Sequence, residues 1–353
     1  MKSNIISFLV LISISNICLS QDNELLDSIN KYYLLSNDAK QDWNFRLTSA
    51  LKAKNLSDEF AVDSIRLRVQ RALSVSYYYN ELFEPYLKLN QENFKLAEKL
   101  NDTSALQAST NNLGSYYLFL EQMDSSYYYY SKKLGYFKSN DISIEKAETL
   151  SALADIQQEE KLYNGAELDA INAIKILNRL SENEDTLYLN WSLYNLLAII
   201  SKNTLNKNKT LEYYDKSISY TKEMEDGFTY EIFSINNKAN AYRTFGEYSK
   251  ALDLFNALLE EKEKYNEDEP DFYPTLFLNI AKTKFESGDY KFLEVEDFLK
   301  KAYDMFKTIE FQNGIMATAL EFSRLYLKHN EHDKAKQYGL EALKVSDEVS
   351  KRI

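Results

Sequence analysis

The sequence predicts an all-α chain built as an α-solenoid of stacked antiparallel helix pairs, about seven repeats of 40–44 residues. Three observations carry this prediction. Helix breakers are scarce, with 3 prolines and 8 glycines in 353 residues. Apolar residues recur at helical spacing between short polar clusters. A small or apolar pair also returns at Leu73-Ser74, Leu113-Gly114, Leu153-Ala154, Leu197-Ala198, Lys238-Ala239, Ile280-Ala281 and Phe322-Ser323, at intervals of 40, 40, 44, 41, 42 and 42 residues. A period of this kind marks an array in which each unit buries its apolar face against the next.

Residues 1–20 stand outside that pattern. Lys2 gives a positive start, Ile5 to Ile14 is an apolar run broken by Ser7 and Ser13, and Cys18-Leu19-Ser20 places small residues before Gln21. This reads as a signal peptide cleaved after Ser20, and the run is too short for an ordinary membrane-spanning helix. Ile17 is bulky where a lipobox before Cys18 needs a small residue. The expectation is an exported chain, periplasmic or outer-membrane associated, with no transmembrane helix within 21–353.

Cleavage would remove the single cysteine and one lysine. The mature chain then has no internal disulfide, and packing alone stabilises it. Its formal charge moves from −12 to −13. An acidic surface of this size argues against sequence-independent binding to nucleic acid or anionic lipid.

Residues 21–60 read as an N-terminal helical cap or a degenerate repeat. Leu25, Leu26, Ile29, Tyr32 and Tyr33 form one helical stripe, and Trp43, Leu47, Ala50 and Leu51 form another. Terminal units of repeat arrays are usually atypical because one face meets solvent.

From residue 61 to 353 the array is best seen in Ser234–Leu258. Ala239 and Ala251 are the small residues that let two helices approach, Tyr242, Tyr248 and Phe255 fill the space around them, and Gly246 falls at the turn. Second helices keep a small residue at Ser126, Ala166, Thr210, Ala251 and Ala335, while Tyr86 replaces it in the first unit. In the sixth unit Lys291–Val295 reads as carrying an insertion of about two residues.

This pattern resembles the tetratricopeptide repeat (TPR), over roughly residues 61–345. A typical repeat of that family has 34 residues, so these helices are expected to be longer. The resemblance implies a right-handed superhelix with first helices on the concave side. It is most similar to the extracytoplasmic TPR regions of Bacteroidota signalling proteins, which continue into a membrane helix and an effector domain.

Candidate chemistry is thin. His329 and His332 are the only histidines and lie three apart in a polar turn beside Glu331 and Asp333, which reads as a solvated connection and not as a metal site. GxSxG, P-loop, HExxH and dinucleotide-binding fingerprints are absent. No enzyme, cofactor or catalytic residue is expected. Tyrosine runs at Tyr77–Tyr79, Tyr116-Tyr117, Tyr127–Tyr130 and Tyr213-Tyr214 cannot all face one groove, because consecutive helical residues point about 100° apart. They leave two readings, packing between long helices or an exposed stacking platform for sugar or peptide.

Asn112, Asn237 and Asn279 precede the central apolar residue of their units, with Asn195 two places ahead in its own. In peptide-gripping members of the resembled family the equivalent asparagine points into the groove and pairs with the ligand backbone. An amide suits that task because it both donates and accepts. Asn240, Arg243, Lys282 and Arg324 lie within a helical turn, and the three bases add positive charge, which favours a carboxylate or acidic peptide. The expected function is a scaffold binding a protein or peptide. The alternatives are the periplasmic sensor region of a LuxR-type regulator or histidine kinase, and a carbohydrate-associated outer-membrane component.

Overall fold

The computed structural model describes residues 23–261 and 270–350, and the signal peptide expected at 1–20 lies outside them. The described residues form sixteen α-helices and no strand. They fall into two compact units that meet in sequence between Asp141 and Ile142.

The first unit contains α1 (23–36), α2 (Trp43–Phe60), α3 (Asp63–Tyr79), α4 (Phe83–Leu100), α5 (Thr103–Phe119) and α6 (Met123–Gly135). The second contains α7 (Ile144–Glu159), α8 (Tyr163–Leu177), α9 (Glu184–Asn203), α10 (Lys207–Thr221), α11 (Gly227–Thr244), α12 (Tyr248–Glu260), α13 (Phe272–Ser287), α14 (Phe292–Thr308), α15 (Gln312–Lys328) and α16 (His332–Ser350). Within each unit every helix from α2 onward packs on the next in sequence. In the second unit the first helices of successive pairs also touch, α7 on α9, α9 on α11, α11 on α13 and α13 on α15. One continuous layer of first helices results.

Small residues sit where the helices of a pair come closest. Ala154, Ala198, Ala239 and Ala281 on first helices, and Ser126, Ala166, Thr210 and Ala251 on second helices, are essentially inaccessible. At two of these places a hydroxyl bonds the facing backbone, Ser126 Oγ to the Gly114 carbonyl and Ser323 Oγ to the Ala335 carbonyl, each at 2.8 Å. Around Ala239 and Ala251 the core closes with fully buried Phe255 and Leu276, and Tyr242 packs at the edge.

The buried position is the fourth residue of every second helix from α4 to α16: Tyr86, Ser126, Ala166, Thr210, Ala251, Val295 and Ala335. Val295 therefore keeps the register of the sixth unit. The insertion of about two residues expected over Lys291–Val295 is present just ahead of α14: α13 runs one residue further past its alanine than the other first helices do past their small residues, and four residues separate α13 from α14 where three separate the other pairs from α3 onward.

These turns share one backbone device. A residue in the left-handed region follows the first helix, at Glu81, Glu121, Lys161, Leu205, Gly246 and Asn330, with φ between 56° and 75°. The next residue's N–H then closes onto the carbonyl five back, as in Leu162 to Gln157 at 2.7 Å and Asn206 to Ser201 at 2.8 Å. This is the Schellman closure of a helix end. Gly246, and Gly288 at φ 77° after α13, adopt the left-handed conformation without a Cβ penalty.

In the N-terminal pair the expected stripes hold in part. Ile29, Ala53 and Val69 bury together with Leu25, Tyr32 and Tyr33 around them. Leu51 is exposed, because α2 turns Ala50 and Ala53 inward instead.

Candidate binding face on the first helices

Four first helices of the second unit bring polar side chains, three of them charged, to one level. The residue just past each small position is Asp155 on α7, Asn240 on α11, Lys282 on α13 and Arg324 on α15. One turn further on stand Lys202 of α9 and Arg243 of α11, each four residues past its alanine, and Glu286 of α13, five past. The layer of helices aligns these registers side by side.

Arg243 is the centre of the cluster. Its Nε lies 3.6 Å from Glu286 Oε2, and its Nη1 is buried without a hydrogen-bond partner. Lys282 Nζ lies 3.9 Å from Glu321 Oε1, while Glu321 is held more closely by Arg324, whose Nη1 donates to both carboxylate oxygens at 2.9 Å. Among the described residues no hydrogen bond or ion pair engages the Lys202 ammonium. Lys202, Arg243, Lys282 and Arg324 thus face two carboxylates.

That imbalance appears in the ionisation of the bases. Burial pulls the Lys202 ammonium down, and Arg243 adds to it. Burial and then Arg243 lower Lys282, against the opposing pull of Glu321 and Glu286. Arg243 is lowered by burial, with Glu286 and Glu321 opposing. Desolvation disfavours the charged form of a base, and like charges add to the cost. At the α7 end the sign reverses. Asp155 reaches water while closely surrounded by protein, and that desolvation, with Glu159 one turn on, pushes it up to about 7.

The asparagines divide into three kinds. Asn237 is half-buried and has no hydrogen-bond partner among the described residues, so its amide is open. Asn240 donates to the Asn236 carbonyl at 3.0 Å, which leaves its own Oδ1 buried without a partner. Asn279 is buried and donates to Asn236 Oδ1 at 3.0 Å, joining α13 to α11. Asn195 does not reach the face: it is buried, and its amide nitrogen bonds the Trp191 carbonyl, Ser217 and Ser234 between α9, α10 and α11. In the first unit Asn112 donates to Asn90 Oδ1 at 2.9 Å, and Asn90 in turn donates to Ser74 Oγ at 2.7 Å.

Arg243, Lys282 and Arg324 come together around Glu286 and Glu321, while Asn240 bonds within its own helix. Lys202, Glu286 and Glu321 complete the cluster and were not singled out. The repeat offset from the small residue, shared by Lys202 and Arg243, is the signal that would have found Lys202.

Tyrosine runs distribute over all sides of their helices. Tyr130 is buried, Tyr129 stacks on Tyr117 with ring centroids 5.5 Å apart, and Tyr127 and Tyr128 are exposed. Tyr79 lies flat on Trp43 at 3.9 Å. His329 bonds the Tyr290 hydroxyl at 3.1 Å and packs edge-on against Phe292. No helix among the described residues is long and apolar enough to cross a membrane.

Neither a protein-family model nor a curated protein matches this sequence. Solved structures do match its fold. The apo form of the quorum sensor NprR from B. thuringiensis is similar over 90% of this chain and 87% of its own, at 13% identity and a TM-score of 0.70. A Rap protein complexed with Competence and Sporulation Factor is similar over 94% of this chain and 100% of its own, at 12% identity and a TM-score of 0.57. A tetratricopeptide repeat protein from Parabacteroides merdae ATCC 43184 matches over 83% of this chain and 99% of its own, at 15% identity and a TM-score of 0.57. The chain therefore has the tetratricopeptide-repeat fold, the α-solenoid class that its spacing of small and aromatic residues predicts.

Proposed function

We propose that the chain is a non-catalytic, exported scaffold that binds an extended acidic peptide or protein segment on the first-helix face of its second unit. The observation that carries this reading is the uncompensated positive charge around Arg243, with a buried guanidinium nitrogen left without a partner in an otherwise acidic protein. A carboxylate entering here meets donors that are already desolvated, so little further cost attends the new hydrogen bonds. On the same helix the amide of Asn237 is open and Asn240 keeps an unpartnered Oδ1, groups that suit a peptide backbone, which needs both a donor and an acceptor. Export rests on the composition of residues 1–20. The similar folds of a quorum sensor and of a Rap protein complexed with a factor support a receptor role for such a surface.

The test is fluorescence anisotropy with three labelled peptides of equal length, rich in Asp and Glu, in Asn and Gln, or in Lys. Selective binding of the acidic peptide, weakened by salt, is expected. Equal binding of the acidic and amide peptides would refute the electrostatic reading.

A further inference from the structure

The first unit carries a second cationic site, independent of the face around Arg243. A pocket of about 370 Å³ opens between α1, α3, α4 and α5. Its volume lies within the range of small-ligand sites, roughly 300–1,000 Å³. Two arginines three residues apart on α3, Arg68 and Arg71, share its wall, and no carboxylate lines it.

Arg68 is fixed in place. It donates to Asn30 Oδ1 at 2.6 Å and lies over the Tyr33 ring at 4.7 Å. A guanidinium has five donors, so most of those of Arg68 remain open. Half-buried Arg71 has no hydrogen bond or ion pair among the described residues. Across the pocket α5 contributes Ser109 and Asn112, again three residues apart and therefore on one side of their helix. Ser109 is 1% exposed and its hydroxyl has no partner. A buried helical hydroxyl usually bonds a carbonyl one turn back, so a free one on a pocket wall is a donor awaiting an acceptor. Asn112 is held in position through Asn90 and Ser74, tying α5 to α4 and α3.

Two guanidinium groups on one pocket wall with no carboxylate beside them offer a shared oxyanion bidentate, charge-assisted bonds. We propose that this pocket binds a small ligand through a carboxylate or phosphate group, gripped by Arg68 and Arg71 with Ser109 donating a further hydrogen bond. The alanine and valine side chains of the wall leave room for a compact apolar body behind the anionic head.

Isothermal titration of the full chain with inorganic phosphate and, separately, with glutarate tests this. One-to-one saturable binding of at least one probe below roughly 10 mM is expected. Preference between the two identifies phosphate or carboxylate as the natural head group. Arg71→Gln should weaken the preferred probe about tenfold or more, whereas Arg179→Gln, at an exposed position just past α8 and outside both cationic sites, should leave it unchanged. Ser109→Ala, which removes only the hydroxyl, should weaken it about threefold and serves where Arg71→Gln loses its helical circular dichroism. Absence of binding by either probe, or affinity unaltered in folded Arg71→Gln or in Ser109→Ala, would overturn the assignment.

Discussion

Arg243 Nε lies 3.6 Å from Glu286 Oε2 across α11 and α13, while Arg243 Nη1 is buried with no hydrogen-bond partner. The pair is an ion contact just beyond ordinary hydrogen-bond length, and the guanidinium's remaining capacity is unused. Lys282 stands beside it with its ammonium lowered by burial and by Arg243.

A pH dependence follows. Above the lowered pKa of Lys282 the native state holds fewer protons than the unfolded chain, so stability rises with pH until the unfolded lysine titrates near 10.5. Below that window the cost of the buried charge is fully present. Lys282→Met should therefore raise the urea midpoint at pH 7, and its advantage should shrink as pH climbs toward 10.5. An advantage constant across that range would show that charge is not its source.

The left-handed turn residues make a second case. Leu205 holds φ 58° and is 72% exposed, so its side chain adds no packing to offset the backbone cost. Leu205→Gly should stabilise by about 0.5 kcal/mol, since relief of the left-handed strain slightly exceeds glycine's entropy cost. Gly246→Ala at φ 75° should destabilise by about 1 kcal/mol. Both are read from shifts in the denaturation midpoint.

Glycines at the two ends of the steric scale give a third. A Cβ on Gly227 would sit 1.7 Å from the Thr221 carbonyl oxygen, a backbone atom that cannot swing aside. Gly227→Ala should cost about 2–3 kcal/mol through forced backbone displacement. Nothing lies within 4 Å of a Cβ on Gly135 at the end of α6, so Gly135→Ala should be neutral or stabilising by up to about 1 kcal/mol. Thermal unfolding of the two variants should diverge in sign.

Tyr214 is completely buried between α9 and α11, and its hydroxyl has no partner. Burial alone drives its ionisation far upward. Tyr214→Phe keeps the ring and removes the unsatisfied group, so it should stabilise by about 1 kcal/mol. A loss of stability would mean that a bound water completes the hydroxyl.

Much of the fold is legible because local chemistry fixes it. Ala239, Ala251 and Phe255 are legible since close helix approach admits only certain sizes at those positions, and all three are inaccessible. Gly246 announces its turn, whereas Glu121, Lys161 and Leu205 adopt the same conformation without a residue that favours it. Those turns are set by packing of the flanking helices, not by local preference. The site is less legible for a related reason. Asn195 and Asn237 look alike in sequence, yet Ser217 and Ser234, from two other helices, capture the first and leave the second open. Glu321 belongs to the cluster only because α15 packs on α13 and brings its carboxylate toward Lys282.

The most direct test of the central claim is titration calorimetry of an acidic peptide into the full chain and into Arg243→Gln, in buffers of different ionisation enthalpy. A bound carboxylate favours the charged lysines, so binding above neutral pH should take up protons and weaken as pH rises. Arg243→Gln should lose about tenfold or more in affinity while keeping its helical content. Unchanged affinity in the folded variant, with no proton uptake in the parent chain, would contradict binding on this face.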